Sequence, residues 1–169
     1  ILFKNHRSGP KVGRFDMTPQ KVVIGCDHGG FLLKEKIMSY LKKKGLSVKD
    51  VGTFSRESMD YPDTAYKVAC AVSKNKSWRG LLICKTGIGN CIVANKIKGV
   101  RAALCYNMKA ARLSRKHNDA NVLVLGTLFV NERRARKIID VWLKTHFEGG
   151  RHLRRIKKIE RVERICAHL

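Results

Sequence analysis

The features that would announce a metal, a membrane or a dinucleotide are missing from this 169-residue chain. Its six cysteines (Cys26, Cys70, Cys84, Cys91, Cys105 and Cys166) include no CxxC pair and no cluster with histidine at short spacing, so no structural zinc site is expected. Reduced thiols buried as small hydrophobes are the simpler expectation. No apolar run approaches the roughly 18 residues that span a bilayer. No apolar stretch of the kind that opens a secretory signal stands at the start, so a cytoplasmic protein without membrane contact is expected. "TGIG" lacks the third glycine of the dinucleotide fingerprint and follows the third strand-like run rather than the first. Acidic residues are also scarce: 13 against 36 lysines and arginines, a formal charge of +23. Such a balance points to a polyanion, an anionic membrane or anionic metabolites. The cations are spread over many segments, however, as in "LKKK", "NERRARK" and "RHLRRIKKIERVER", and such runs most often form solvated helix faces.

What remains is a 44% hydrophobic chain, long enough for one domain with a real core. Residues 1–16 show no sustained period and hold Gly, Pro and basic residues, and Met17 is a candidate start. We read 1–19 as an irregular basic extension and 20–169 as the domain. From Lys21 onward, short apolar runs alternate with amphipathic ones. The strand candidates are "KVVIGC", "LSVKDVG", "GLLIC", "VRAALC" and "NVLVLG". Between them lie helical patterns: "FLLKEKIMSYLKKKG" with Leu33, Ile37, Tyr40 and Leu41 on one face and Gly45 as its stop, "PDTAYKVACAVSKNK" with Asp63 as its cap, "GNCIVANKI" and "NMKAARLSRKH". "NERRARKIIDVWLKTHF" and "HLRRIKKIERVERIC" follow the fifth strand as further helices. The alternation predicts an α/β, Rossmann-like three-layer fold: five parallel strands in an open sheet, helices on both faces and a C-terminal helical tail.

Ligands of such sheets bind beyond the carboxyl ends of the strands, near the point where strand order reverses. The loops "DHGG" and "KTGIG" both follow strands and are expected to share one crevice. Cys84 ends the third strand beside the N–H groups of a glycine-rich turn, where a helix dipole would favour its thiolate. Asp27 and His28 pair a carboxylate with an imidazole, suited to holding sugar hydroxyls or carrying protons. His117, with Asn118 and Asp119, ends a helix before the fifth strand. These three groups are expected to border one sheet edge.

The stretches "IGCDHGGFLLKEKI", "DYPDTA", "ICKTGIGNCIVANKIKGVRAALC", "ARLSRKHNDANVLVLG" and "FEGGRHLRRI" resemble, in order and spacing, the type B ribose-5-phosphate isomerases and their galactose- and allose-6-phosphate relatives. The likeness spans roughly residues 20–160. It implies an aldose–ketose isomerase of the pentose phosphate pathway that interconverts D-ribose 5-phosphate and D-ribulose 5-phosphate through an enediolate, without metal or cofactor. By the same resemblance Cys84 is the base, Thr86, Gly87, Gly89 and Asn90 form the loop that binds the enediolate oxygens, and His117 helps to open the sugar ring. Asp27, His28, Tyr61 and Asn118 would hold hydroxyl and ring oxygens. Arg151, His152 and Arg155 would grip the phosphate in the neighbouring subunit's site, which implies a homodimer or tetramer with shared sites and the sugar phosphate as its small partner.

Two departures stand out. The family usually has glycine after this cysteine, where the chain has Lys85; a side chain there is harmful if the backbone needs positive φ, and harmless or helpful if it points away or lowers the Cys84 pKa. The second departure is the charge, which the isomerase reaction does not need; no sequence-specific nucleic-acid binding is expected from it. A six-carbon sugar phosphate isomerase, and a basic binding protein whose site Lys85 has disabled, are the alternatives.

Overall fold

The structure, a computed structural model, describes residues 21–166; the expected extension at residues 1–19 lies outside them. In chain order the elements are β1 (Val22–Cys26), α1 (Phe31–Lys43), β2 (Val48–Asp50), α2 (Tyr61–Lys74), β3 (Arg79–Cys84) and α3 (Ile88–Ala94). They continue with β4 (Ala102–Leu104), α4 (Met108–Asn118), β5 (Val122–Gly126), α5 (Glu132–Lys144) and α6 (Gly150–Cys166). All strands pair in parallel in the order β2-β1-β3-β5-β4.

The two-residue period of a strand divides the core into two layers. Val22, Ile24, Leu81, Ile83, Leu123 and Leu125 pack on one face with Ile37 and Leu41 of α1 and Ile138 and Trp142 of α5. Val23, Leu82, Val122 and Val124 pack on the other with Ala65, Val68 and Val72 of α2 and Ala94 of α3. The three central strands are therefore apolar on both faces, which is why they read as unbroken hydrophobic runs. The edge strands β2 and β4 are three residues each, shorter than "LSVKDVG" and "VRAALC" suggested, because each has a hydrogen-bonded neighbour on one side only.

The helix ends follow local chemistry. Asn107 and Asn131 accept the N–H groups of Ala110 (2.8 Å) and Arg134 (2.9 Å) as side-chain caps of α4 and α5. Gly45 closes α1 with φ +79°, as expected. Asp63 is not the cap of α2: Asp60 holds that position, and Asp63 sits one turn in, where its charge still complements the dipole. Lys34, inside a basic stretch, is fully buried; its Nζ meets Asp50 Oδ2 at 2.5 Å and the Thr53 carbonyl at 2.7 Å. That pairing ties α1 to the segment after β2, which extends the pairing with β1 through Cys26 N–H to Gly52 O and Thr53 N–H to Cys26 O.

Candidate active site

From β1 the chain moves outward to β2 and then crosses to β3 on β1's other side, so strand order reverses between β1 and β3. The crevice expected at such a reversal is bordered by the loop after β1, carrying Asp27 and His28, and the loop after β3, carrying Thr86 and Gly87.

Cys84 is the last residue of β3, 5% exposed, and its Sγ accepts the Gly87 N–H at 3.1 Å. Burial pushes the thiol above the ordinary cysteine range; the Gly87, Asn90 and Thr86 N–H groups pull it down and the Asp27 carboxylate pushes it up. The expectation of a dipole-stabilised thiolate is thus corrected: α3 has only seven residues, and desolvation of the sulfur outweighs the donors around it. The resting group is a thiol surrounded by N–H donors.

The turn that supplies these donors needs glycine twice. Gly87 has φ +83°, and a Cβ there would lie 2.3 Å from Leu104 Cδ1. A Cβ on Gly89 would lie 2.5 Å from the Tyr61 ring, so the start of α2 is laid directly against this turn. Thr86 Oγ1 accepts the Ile88 N–H at 3.3 Å. Asn90 is completely buried, yet neither its Oδ1 nor its Nδ2 has a partner within the chain. Buried amides are rarely left so, and a polar ligand in the crevice would satisfy this one.

Asp27, 8% exposed, is fixed by the Gly30 N–H on its Oδ1 at 2.9 Å. The exposed His28 accepts the Met59 N–H on Nδ1 at 3.3 Å, which leaves Nε2 as its proton-bearing nitrogen. Asp27, His28, Tyr61, Cys84, Thr86, Gly87, Gly89 and Asn90 are therefore gathered at the carboxyl ends of the strands. Lys85 stands beside this group, against the loop after β1. Its φ is not positive, so glycine is not required, and its side chain is exposed and runs beside Gly29, whose added Cβ would lie 3.6 Å from Lys85 Cβ.

His117 and Asn118 are placed elsewhere. They end α4 and lead into the amino end of β5, whose Val122 pairs with Gly80, whereas Cys84 pairs with Gly126 at the other end. Four residues of strand, about 13 Å, separate the two levels. The expectation of three groups around one edge is corrected accordingly, since a helix-to-strand loop in a parallel sheet lies opposite the strand-to-helix loops. At this amino end His117 stacks on His152 from α6, with ring centroids 4.2 Å apart and planes 8° apart. Glu148, which the sequence reading did not single out, lies 3.8 Å from His117 Nε2 through its Oε2. Arg151 Nε stands 3.5 Å from His152 Nε2. Burial, His117 and Arg151 together lower the His152 pKa. Arg155 follows one turn along α6, exposed. Ligating atoms of His117, Glu148 and His152 lie within 4.8 Å of one another, but the two stacked rings do not aim their lone pairs at a common point. A stacked imidazole pair beside two arginines suits an anion.

The sequence profile described as Ribose/Galactose Isomerase matches residues 22–159. The chain belongs to the ribose/galactose isomerase family. Ribose-5-phosphate isomerase B of Escherichia coli (strain K12) is 46% identical over 144 residues, covering 85% of this chain and 97% of that one. The structure of ribose-5-phosphate isomerase B from Clostridium thermocellum shares 51% identity at a TM-score of 0.84 and covers 86% of this chain and 98% of that one. That of the Mycoplasma genitalium enzyme with bound ribulose-5-phosphate shares 48% at 0.83, covering 85% and 96%. In this ribose/galactose isomerase family member, Cys84 stands in the crevice between the loops after β1 and β3.

Proposed function

We propose that the protein interconverts D-ribose 5-phosphate and D-ribulose 5-phosphate. The observation that carries this reading is a single thiol at the end of β3, surrounded by backbone N–H groups and neighboured by a buried amide with no partner. Its relatives of known name, and the ribulose-5-phosphate held by one of them, support the substrate.

In the proposed reaction Cys84, as thiolate, takes the proton from C2 of the open-chain aldose. The C2–H electron pair becomes the C1=C2 bond, and the carbonyl oxygen on C1 gains the negative charge. The N–H groups of the turn at Thr86, Gly87 and Gly89, with the Asn90 amide, face that oxygen where charge develops. A proton then passes from the C2 hydroxyl oxygen to the C1 oxygen, and the Cys84 thiol returns its proton to C1. The proton count is unchanged and no external oxidant, metal or cofactor is consumed. Asp27, His28 and Tyr61 hold the remaining hydroxyls.

Ring opening by His117 and phosphate capture by Arg151, His152 and Arg155 fall to a second copy of the chain in this reading. The support is topological, because those residues sit at the amino end of the sheet while Cys84 sits at the carboxyl end. A symmetric pair of chains would place each amino-end cluster over its partner's crevice, with Asn118 beside it, forming two shared sites in a homodimer or a tetramer of such pairs. We place the reaction in the pentose phosphate pathway of the cytoplasm, with 20–169 as the isomerase domain and 1–19 as a basic extension. Free thiols, and the absence of any helix among the described residues long and apolar enough to cross a membrane, are compatible with that setting.

Formation of ribulose 5-phosphate by the purified protein, in chelator, tests the reading beside a Cys84→Ala variant. Loss of the base is expected to lower kcat by about 10³-fold, within the range of positioned acid–base groups. An active Cys84→Ala enzyme would remove Cys84 from the chemistry, and an inactive wild type would refute the substrate.

A further inference from the structure

The isomerase reading uses two of the seven cations on α6 and leaves five, Arg154, Lys157, Lys158, Arg161 and Arg164, without a task. All five are exposed. At 100° per residue they fall on one half of the helix, together with Arg151 and Arg155, while His152 and Ile156 on the other half are buried against the body. Neighbours three and four residues apart repel: 154 with 157 and 158, 157 and 158 with 161, 161 with 164. Among the described residues none of the five forms an ion pair. The two acids of the helix do not neutralise them: Glu163 is turned to Gly99, whose N–H its oxygens accept at 3.1 and 3.2 Å, and Glu160 forms no ion pair among the described residues. A ridge of five unpaired cations, about 15 Å from Arg154 to Arg164, is thus held out from the fold by a helix that opposes its own charge.

We infer that this ridge binds the phosphate backbone of duplex nucleic acid, independently of sequence and apart from catalysis. The chemistry favours a duplex over the alternatives. α6 carries no Phe, Tyr or Trp on which single-stranded bases could stack, and its one imidazole, His152, is buried against His117. Its apolar residues form no continuous membrane-inserting face: Ile156 is buried, Ile159 and Val162 line a groove with Val100, Ala102 and Ala103 at the edge strand β4, and the exposed Leu153 and Ile165 stand apart, each flanked by cations. A band of point charges along one face of a helix matches a row of phosphates and reads no base edge.

The test uses the full chain and a 20-base-pair duplex of arbitrary sequence, in DNA and RNA forms, with affinity measured between 50 and 200 mM salt. Five phosphate contacts predict a loss of about 500-fold across that range, and about tenfold in Arg154→Gln/Lys158→Gln/Arg161→Gln, which removes three. Charge-preserving Arg154→Lys/Arg161→Lys is expected to keep the wild-type salt slope, and both variants to keep isomerase activity, which shows that they fold. Preference for one duplex form would identify the biological source without changing the inference. The inference is overturned if the triple variant keeps the full salt slope. It also fails if the protein binds vesicles rich in phosphatidylserine but no duplex, or binds neither.

Discussion

The two ends of the sheet make opposite kinds of site. At the carboxyl end every group is set by the core: Cys84 is the continuation of a buried strand, Asn90 is completely enclosed, and Tyr61 is pressed on Gly89. At the amino end the groups stand on helix termini and on α6, whose buried residues are His152 and Ile156 alone. The first end has the precision that proton transfer needs. The second has the exposed charge that recognition of a phosphate needs. On the proposed reading, the contrast teaches that this fold separates chemistry from binding by the length of one strand, and that a second chain is the simplest way to bring them together.

The largest effect that sharpens this contrast is expected at Asn90. Asn90→Leu removes a buried amide that has no partner in the chain, so stability to denaturant should hold or rise while kcat/KM falls about 100-fold, the loss of one preorganised donor to an oxyanion. If both fell together, Asn90 would be a structural residue and the crevice less specialised than argued.

Arg155→Ala tests the opposite end. Removing one charge-assisted bond to phosphate should raise KM about thirtyfold with little change in kcat, and leave the unphosphorylated sugar unaffected. A change in kcat alone would place Arg155 with the chemistry.

The smallest effect is one of pH. The Cys84 pKa is raised, chiefly by burial, so the thiolate fraction grows as pH rises towards that higher value. The kcat/KM of the free enzyme should keep climbing beyond about pH 8.5, the ordinary cysteine value, by up to about tenfold per unit. A plateau already reached at pH 7 would show that the N–H donors outweigh desolvation.

Much of this was legible in the sequence for a physical reason. The double-faced burial of β1, β3 and β5 writes itself as apolar runs, and the loops after them are where a parallel sheet must bind. The crevice residues followed. His117 was misplaced because the eye groups polar loops by chemistry, whereas the alternation of strand and helix assigns "SRKHNDAN" to the far end. The Cys84 pKa was misjudged because the dipole is visible as a motif and desolvation is not; it depends on how tightly β5 and the loops close over the sulfur. Lys34 was hidden in a run of charges, and its role depends on Asp50 and Thr53, 16 and 19 residues away. The difference between Asp60 and Asp63 as the cap of α2 turns on a single residue of helix start, a margin that composition does not resolve. Lys85 posed a question about φ that only the backbone answers: its φ is not positive, so the position does not require glycine.

The central claim, a site divided between two chains, is tested most directly by mixing two dead enzymes. Cys84→Ala and His117→Ala are each expected to be nearly inactive alone. Co-expressed and assorting at random, they should recover about a quarter of wild-type activity, since each mixed pair then holds one site with an intact cysteine from one chain and an intact histidine from the other. Activity that stays at the sum of the two separate variants would contradict the account and place the whole site within one chain.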